Sequence, residues 1–366
     1  DKRPIPQGNG KTIEFRRFAS LPKALTALTE AVTPKGQNMS VSAITATVKQ
    51  YGNWIQSSDL LQMTTIDPVL DERTKILGSQ AGRTLDTITR EIANSGTNVQ
   101  YAHKVSGGTK TAVYSRANLT KDCHLTRDEI FRAAAALKAK NAPTIDGKYI
   151  AIIHPYTAYD IMSSDDWIDV NKYSNATKIF NGEIGSLGGV RFVETTEAKA
   201  FLPGKIFGGG ESSAVVAADA TSSATTIKVH GVFTKASTTV KVYVNGTANT
   251  ITAVSANSSD GTTTLTLGTA LAAAVPAGSV VCGTGASTSA GAVFSTLVLG
   301  AHAYATTELS GGGLQHIVKQ LGYGDDPLNQ RSSSGWKATK TAAILNQFYM
   351  VRIESINDYS AVISEN

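Results

Sequence analysis

The stretch PVLDERTKILGSQAGRTLDTITREIAN, residues 68–94, decides the fold class. Val69, Leu70, Ile76, Leu77, Ala81, Leu85, Ile88 and Ile92 recur at helical spacing and draw one apolar stripe. Asp67 is a suitable N-cap, Pro68 suits the first helical position, and Asn94, Ser95 and Gly96 form a stop. Asp71 with Lys75 and Asp86 with Arg90 are expected to pair at i,i+4. A helix this long exceeds the usual three turns, and with one apolar stripe it should cover one side of a sheet.

Before the helix, residues 12–18 read as a strand and residues 41–56 as a second strand pattern. The polar stretch 21–37 between them, with Pro22 and Pro34, is too long for a tight turn and reads as an arm-like loop. After the helix, Thr126 and Glu129 form a capping box for a helix reaching about Lys140, ended by Asn141, Ala142 and Pro143. Residues 149–153 are a short apolar run, best read as a buried strand, and His154-Pro155 opens a helix to Met162. Strand patterns recur at 297–309, 314–321 and 344–356. The whole is α+β with mixed sheets.

Composition shifts between Glu211 and Ala292, where 63 of 82 residues are Ser, Thr, Ala, Val or Gly and only six are charged. A flexible linker could share that composition, but the order of residues excludes it. Residues 226–230 and 239–244 alternate with period two, and residues 262–267 form a third strand-like run. Asn245-Gly246 and Asp260-Gly261 both suit tight hairpin turns. This segment is a small all-β domain inserted into a larger one.

The 366 residues carry 34 Lys+Arg against 29 Asp+Glu, a mild +5 with the charges interspersed, so no basic patch for nucleic acid stands out. No window is long and apolar enough for a transmembrane helix, so no membrane contact is expected. Cys123 and Cys282 are far apart, which excludes a disulfide scaffold and fits synthesis in a reducing cytosol.

No catalytic, cofactor or metal site is expected. Gly78 to Thr84 has the wrong glycine spacing for a phosphate loop and lies inside the long helix. The triple glycines at 208–210 and 311–313 precede no helix and read as turns. His154 at a strand end is the most enzyme-like feature, but a polar strand terminus is the better reading. Asp165-Asp166 and Asp325-Asp326 point in different directions as neighbours and read as solvated loops; Trp54, Trp167 and Trp336 read as packed.

Several blocks, in order, resemble one family. They include residues 10–18 and 28–37, Val48-Lys49-Gln50-Tyr51-Gly52, residues 80–86 and 96–102, and Gly182-Glu183-Ile184-Gly185. Residues 189–195, Lys319-Gln320-Leu321-Gly322, residues 326–331 and Gly335-Trp336-Lys337 complete the set. Together they resemble the major capsid proteins typified by the podophage N-four, over most of the chain outside 211–292. The resemblance implies the Hong Kong 97 capsid fold: an extended β-hairpin arm reaching over a neighbouring subunit, a peripheral domain with a spine helix, and an axial domain. It divides the chain into an N-terminal segment (1–50), a peripheral part (51–121), an axial part (122–210 and 293–330), the insert (211–292) and a return to the peripheral domain (331–366).

The function implied is self-assembly into the icosahedral head of a tailed phage, made in the bacterial cytoplasm. The partners implied are copies of the chain in hexamers and pentamers, a portal, scaffold or decoration proteins, and packaged double-stranded DNA met by non-specific contact. Arm residues Leu21, Pro22, Lys23, Leu25, Leu28, Glu30, Pro34 and Lys35 are the expected inter-subunit contacts. An encapsulin-like compartment shell shares this fold, and a cytosolic enzyme or binding protein with a β appendage is the reading from a different class.

Overall fold

The structure is a computed structural model that describes residues 1–18, 21–33, 35–65, 69–164, 185–234, 240–288, 290–324, 326–361 and 363. Pro34, Asp67, Pro68, Asp165, Asp166, Trp167, Gly182, Glu183, Ile184 and Asp325 lie outside the described residues. The chain forms two units, Asp1–Ser95 with His302–Asn346, and Gly96–Ala301 with Gln347–Asn366.

In the first unit, strands Thr12–Phe18 and Val41–Thr47 pair antiparallel, with Thr12 opposite Thr47 and Phe18 opposite Val41. The pattern expected as one strand over 41–56 is two strands. They part at buried Val48, whose N–H donates to the Lys11 carbonyl, and Lys49–Ser58 then leaves for another sheet. A short helix not expected from sequence follows, α1 (Asp59–Thr64), capped by the Ser58 hydroxyl. The long helix, α2, is described over Val69–Asn94.

The second sheet of this unit is built on Arg331–Ile344, which pairs with Lys49–Ser58, Gln315–Lys319 and Tyr304–Thr307. That 14-residue strand has no apolar periodicity, and sequence reading misses it. Leu77 and Ala81 of α2 pack on Trp336 and Ala338 of this strand, beside Tyr51, Ile55 and Leu85. The stripe is narrower than expected. Leu70 and Ile76 are exposed, while Arg73 and Arg90 occupy buried positions. Lys75 pairs with Glu72 rather than with Asp71, and Arg90 reaches Glu91.

The second unit has a seven-stranded sheet. Its order is Val99–Tyr101, Met350–Ser355, Val293–Leu299, Tyr149–Ile153, Val190–Glu194, Ser186–Leu187, with Ala200–Phe201 beside Val293 and Phe294. Every residue of Val293–Leu299 is buried, as expected of a central strand. Helices α3 (Arg127–Ala139) and α4 (Pro155–Met162) supply Ile130, Ala133, Leu137, Ala158 and Ile161 to a core shared with Ala151, Ile153, Val298 and Ile353. Each large aliphatic side chain buried there contributes about 1.5–3 kcal/mol.

The strands expected at 297–309 and 344–356 are each two. Val293–Leu299 and Tyr304–Thr307 are separated at His302, which sits at φ 59, and they belong to different units. Likewise Arg331–Ile344 and Met350–Ser355 lie in different sheets.

The capping box at α3 does not form. Thr126 holds the N-cap position without a side-chain bond, because the buried Glu129 carboxylate turns inward. It accepts from Gln100 Nε2 at 2.7 Å and from the His103 N–H at 3.1 Å, and it contacts His103 Nδ1 and Arg132. A charged acceptor binds more strongly to these donors than to one solvated backbone N–H.

Between Ser213 and Gly283 six strands run in the order Ser213–Val215, Val280–Gly283, Val240–Val244, Thr247–Asn257, Thr262–Leu267, Thr226–His230. A bridge from Val216 to Val229, with the Ala217 N–H donating to the Lys228 carbonyl, joins the last strand to the first, so the sheet curls round into a small barrel. Val216, Ile227, Val229, Val242, Val244, Ile251, Leu265 and Val281 are among the residues that fill it. Asn245 (φ 46) and Gly246 (φ 83) make the expected two-residue hairpin. Asp260-Gly261 does not: strand Thr247–Asn257 is followed by a four-residue loop, where the Asp260 carboxylate accepts from the Thr262 N–H and hydroxyl. At the barrel's base two segments cross closely, Gly204 N–H donating to the Thr284 carbonyl at 2.6 Å. A Cβ on Gly283 would lie 1.8 Å from the Gly204 oxygen, so only glycine fits there.

Two further ionic contacts of the second unit carry testable consequences. Glu354, fully buried, accepts Nε and Nη2 of Arg116 at 2.7 and 2.6 Å and Nε of Arg352 at 2.9 Å, while Arg116 lies 3.5 Å over the Phe201 ring. Glu354→Gln should leave two guanidiniums under-compensated and cost about 3 kcal/mol, read as a lowered melting temperature. The second contact is His124 Nδ1 with Asp160 at 3.5 Å. The Asp160 carboxylate beside it raises the His124 pKa above 6.5, against desolvation. A raised folded value means that the contact stabilises fully below pH 6.5 and loses its effect as pH rises through that value. Melting temperature should therefore fall across that window, and Asp160→Asn should flatten the fall; an equal slope in both proteins would contradict the assignment.

Candidate functional site

The described residues of the arm, within 21–40, are left largely uncovered by their own chain. Its base is fixed by seven cross-strand pairs, from Thr12 opposite Thr47 to Phe18 opposite Val41. Beyond that base, the described residues among 21–40 form neither helix nor strand. Leu21, Pro22, Lys23, Leu25, Leu28, Glu30 and Lys35 are all exposed, Leu25 at 86% and Leu28 at 78%; Pro34 is outside the described residues. Val32 and Met39 add to the exposed apolar surface. Apolar side chains this uncovered on one segment mark an interaction surface. A backbone with so few internal hydrogen bonds can pair with another chain.

The sequence blocks that seemed scattered meet behind the arm. Val48 to Gly52 and Gly335 to Lys337 lie on neighbouring strands, Gly52 opposite Lys337 and Trp54 opposite Gly335. Gln80 of α2 joins them: its Oε1 accepts from Trp336 Nε1 and from Asn53 Nδ2, each at 3.2 Å. A Cβ on Gly335 would come within 2.7 Å of the Trp54 Cβ, so glycine lets the two strands close under that indole. Trp336 is packed as expected, whereas Trp54 is 61% exposed, and Trp167 is outside the described residues. A recess of about 560 Å³ lies here, lined in part by Trp54, Ile317, Lys319, Tyr323 and Arg331. Nothing in the local sequence distinguishes Trp54 from a packed tryptophan; its exposure follows from strand register alone.

His154 caps α4, its Nδ1 accepting from the Tyr156 N–H at 3.2 Å. Its ring lies 4.9 Å from that of Phe294, and burial lowers its pKa below the usual histidine value. That is a structural use of the imidazole, which leaves Nδ1 committed. Both cysteines are buried, and burial pushes the Cys282 thiol up to about 11, so it stays protonated. Among the described residues no group of three or more His, Cys, Asp or Glu could hold a metal ion, and no helix is long and apolar enough to cross a membrane.

The family model described as phage capsid protein matches residues 41–245, more than half of the chain. No curated protein matches it. Among solved structures, the capsid of Ralstonia phage GP4 is similar with a TM-score of 0.58 at 12% identity, covering 97% of this chain and 86% of that one. The capsid of cyanophage P-SCSP1u is similar with a TM-score of 0.56 at 13% identity and the same two coverages. The acid-stable capsid of Helicobacter pylori bacteriophage KHP30 gives 0.53 at 10%, covering 97% and 88%. These identities carry the fold, which is the α+β Hong Kong 97 type with the β barrel inserted. The chain therefore belongs to the phage capsid protein family and is a major capsid protein that forms the phage head.

Proposed function

We propose that the chain assembles into a closed icosahedral shell of hexamers and pentamers, with the arm of each subunit lying over its neighbour. The observation that supports this reading is the exposure of Leu21, Leu25 and Leu28 on a segment anchored rigidly at both ends. Each leucine covered in an interface contributes about 1.5–3 kcal/mol. Small contacts of this kind, repeated by closed symmetry, sum to a stable container. Lys23, Glu30 and Lys35 carry the charges of the arm and select register more than they add affinity.

The first unit, with α2, takes the place of a peripheral domain, and the second that of an axial domain. The barrel projects from the second unit. Its first and last strands are bridged to each other, so it meets neighbours or solvent largely through its side chains. Inside the shell lies double-stranded DNA, held by non-specific contact, and a portal with scaffold or decoration proteins completes the particle. Assembly takes place in the host cytoplasm. The role is structural rather than enzymatic, in keeping with a His154 committed to capping α4.

Deleting residues 21–35 tests the arm. The expected product is a soluble, folded subunit that gives no shells by electron microscopy. Shells of normal size from that deletion would refute the role given to the arm.

A further inference from the structure

The turn Asp358–Ala361 sits where the barrel joins the sheet of the second unit. The chain enters the barrel at Ser213 and leaves it at Gly283. The Ser213 hydroxyl donates to the Ala361 carbonyl, and the Ala292 N–H donates to the Ser360 carbonyl at 2.9 Å. Gly291 is pressed against that same carbonyl, since a Cβ there would come within 2.6 Å of its oxygen. Both ends of the insert are therefore bonded to one turn. The turn is also held from outside the barrel. The Ile356 N–H donates to the Cys123 carbonyl at 2.9 Å, and the Tyr359 ring stacks on Tyr156 of α4 at 4.3 Å with Tyr159 edge-on to it. Asp358 and all three tyrosines are exposed, so few buried apolar contacts secure the turn, which places it among the segments that open first.

Charge gathers at the same place. His124 Nδ1, on the loop before α3, lies 3.5 Å from Asp160 of α4, whose side chain is 9% exposed. Asp160, then Asp358 in the turn and Asp122 on the histidine's own loop, make His124 hold its proton more tightly than usual, against the effect of burial. Asp122 has Lys104 at 3.7 Å. Burial pushes the Asp160 carboxyl up, His124 opposes that, and Asp358 adds to it as a like charge. His154, at the other end of α4, is kept neutral above its ordinary value by burial.

We propose that the turn Asp358–Ala361 is a clasp on the neck of the barrel, and that protonated His124 is the pin that ties this turn to α4 through Asp358 and Asp160. When His124 gives up its proton, the two carboxylates repel without a cation to offset them. The turn then lifts, and both ends of the insert lose a hydrogen-bonded anchor. The pin is charged below pH 6.5 and loses its charge as pH rises through its raised value, so the clasp opens on the alkaline side. Asp160 must be ionised as well, so the hold also weakens in acid, once that carboxyl takes up its proton.

The test is residue-resolved hydrogen exchange on the purified full chain from about pH 5.5 to about pH 8.5, corrected for the intrinsic effect of pH on exchange. The Ala292 N–H, bonded to Ser360, reports the clasp, and the amides of Tyr149–Ile153 report the sheet. Protection of Ala292 should drop about fivefold or more as His124 titrates, while the sheet amides keep theirs. His124→Gln should leave Ala292 poorly protected at every pH, and His124→Lys, which keeps a cation, should restore protection across the range. A merely structural role for the imidazole would make Lys fail as Gln does. Asp358→Asn, at an exposed position, leaves the fold intact and should shrink the drop. Ala292 protection that is flat with pH in the native protein, a Lys variant that behaves as the Gln variant, or an undiminished drop in Asp358→Asn overturns the proposal.

Discussion

Ten consecutive residue pairs between Lys49–Ser58 and Arg331–Lys340 set the arrangement of the first unit. They join segments about three quarters of the chain apart, so the ladder must outweigh a large loop-closure entropy. What it gains is a surface of defined register. Trp336 and Ala338 turn toward α2, and Trp54 turns away beside Gly335. A slip by one residue would exchange the faces and remove Trp336 from its hydrogen bond to Gln80. The arm depends on the same ladder, since the chain passes from its second strand into Lys49–Ser58 with only Val48 between. A segment proposed to reach another molecule gains from a rigid root, because less freedom is lost on contact.

Where sequence and structure part, the reason is physical in each case. Three of the six strands of the barrel, Thr226–His230, Val240–Val244 and Thr262–Leu267, and the Asn245-Gly246 hairpin are legible because alternation and turn chemistry are local signals. So are the extent of α2 from Val69 to Asn94 and the helix that follows His154-Pro155, although the capping bond of His154 itself is seen only in the structure. Arg331–Ile344 is illegible as a strand because it is polar: Ser332 and Ser334 are buried, and Ser332 is satisfied by Ser57 across the ladder rather than by apolar packing. Glu129 abandons its capping box for donors that only the folded unit brings near. The stripe of α2 misleads at Leu70 and Ile76, which the monomer leaves in solvent while Arg73 lies inside. The arm is legible from its length and its prolines, and its exposed leucines follow directly from having no partner strand.

The second unit solves a different problem, that of carrying an insertion of about eighty residues without loosening its own core. The barrel closes on itself, keeps its apolar side chains inside, and crosses back to the sheet through a neck where Gly204 and Gly283 approach closely. The C-terminal turn reinforces that neck: the Ser213 hydroxyl donates to the Ala361 carbonyl and the Ala292 N–H to Ser360. Beside the sheet, the buried charge of Glu354 is answered by two arginines.

The most direct test of the account is a cryo-electron-microscopy reconstruction of the purified, unmodified protein after assembly. The account predicts uniform closed shells in which density for residues 21–40 crosses onto a neighbouring subunit. A homogeneous small species across salt and pH conditions, or shells in which that segment lies on its own subunit, would contradict it.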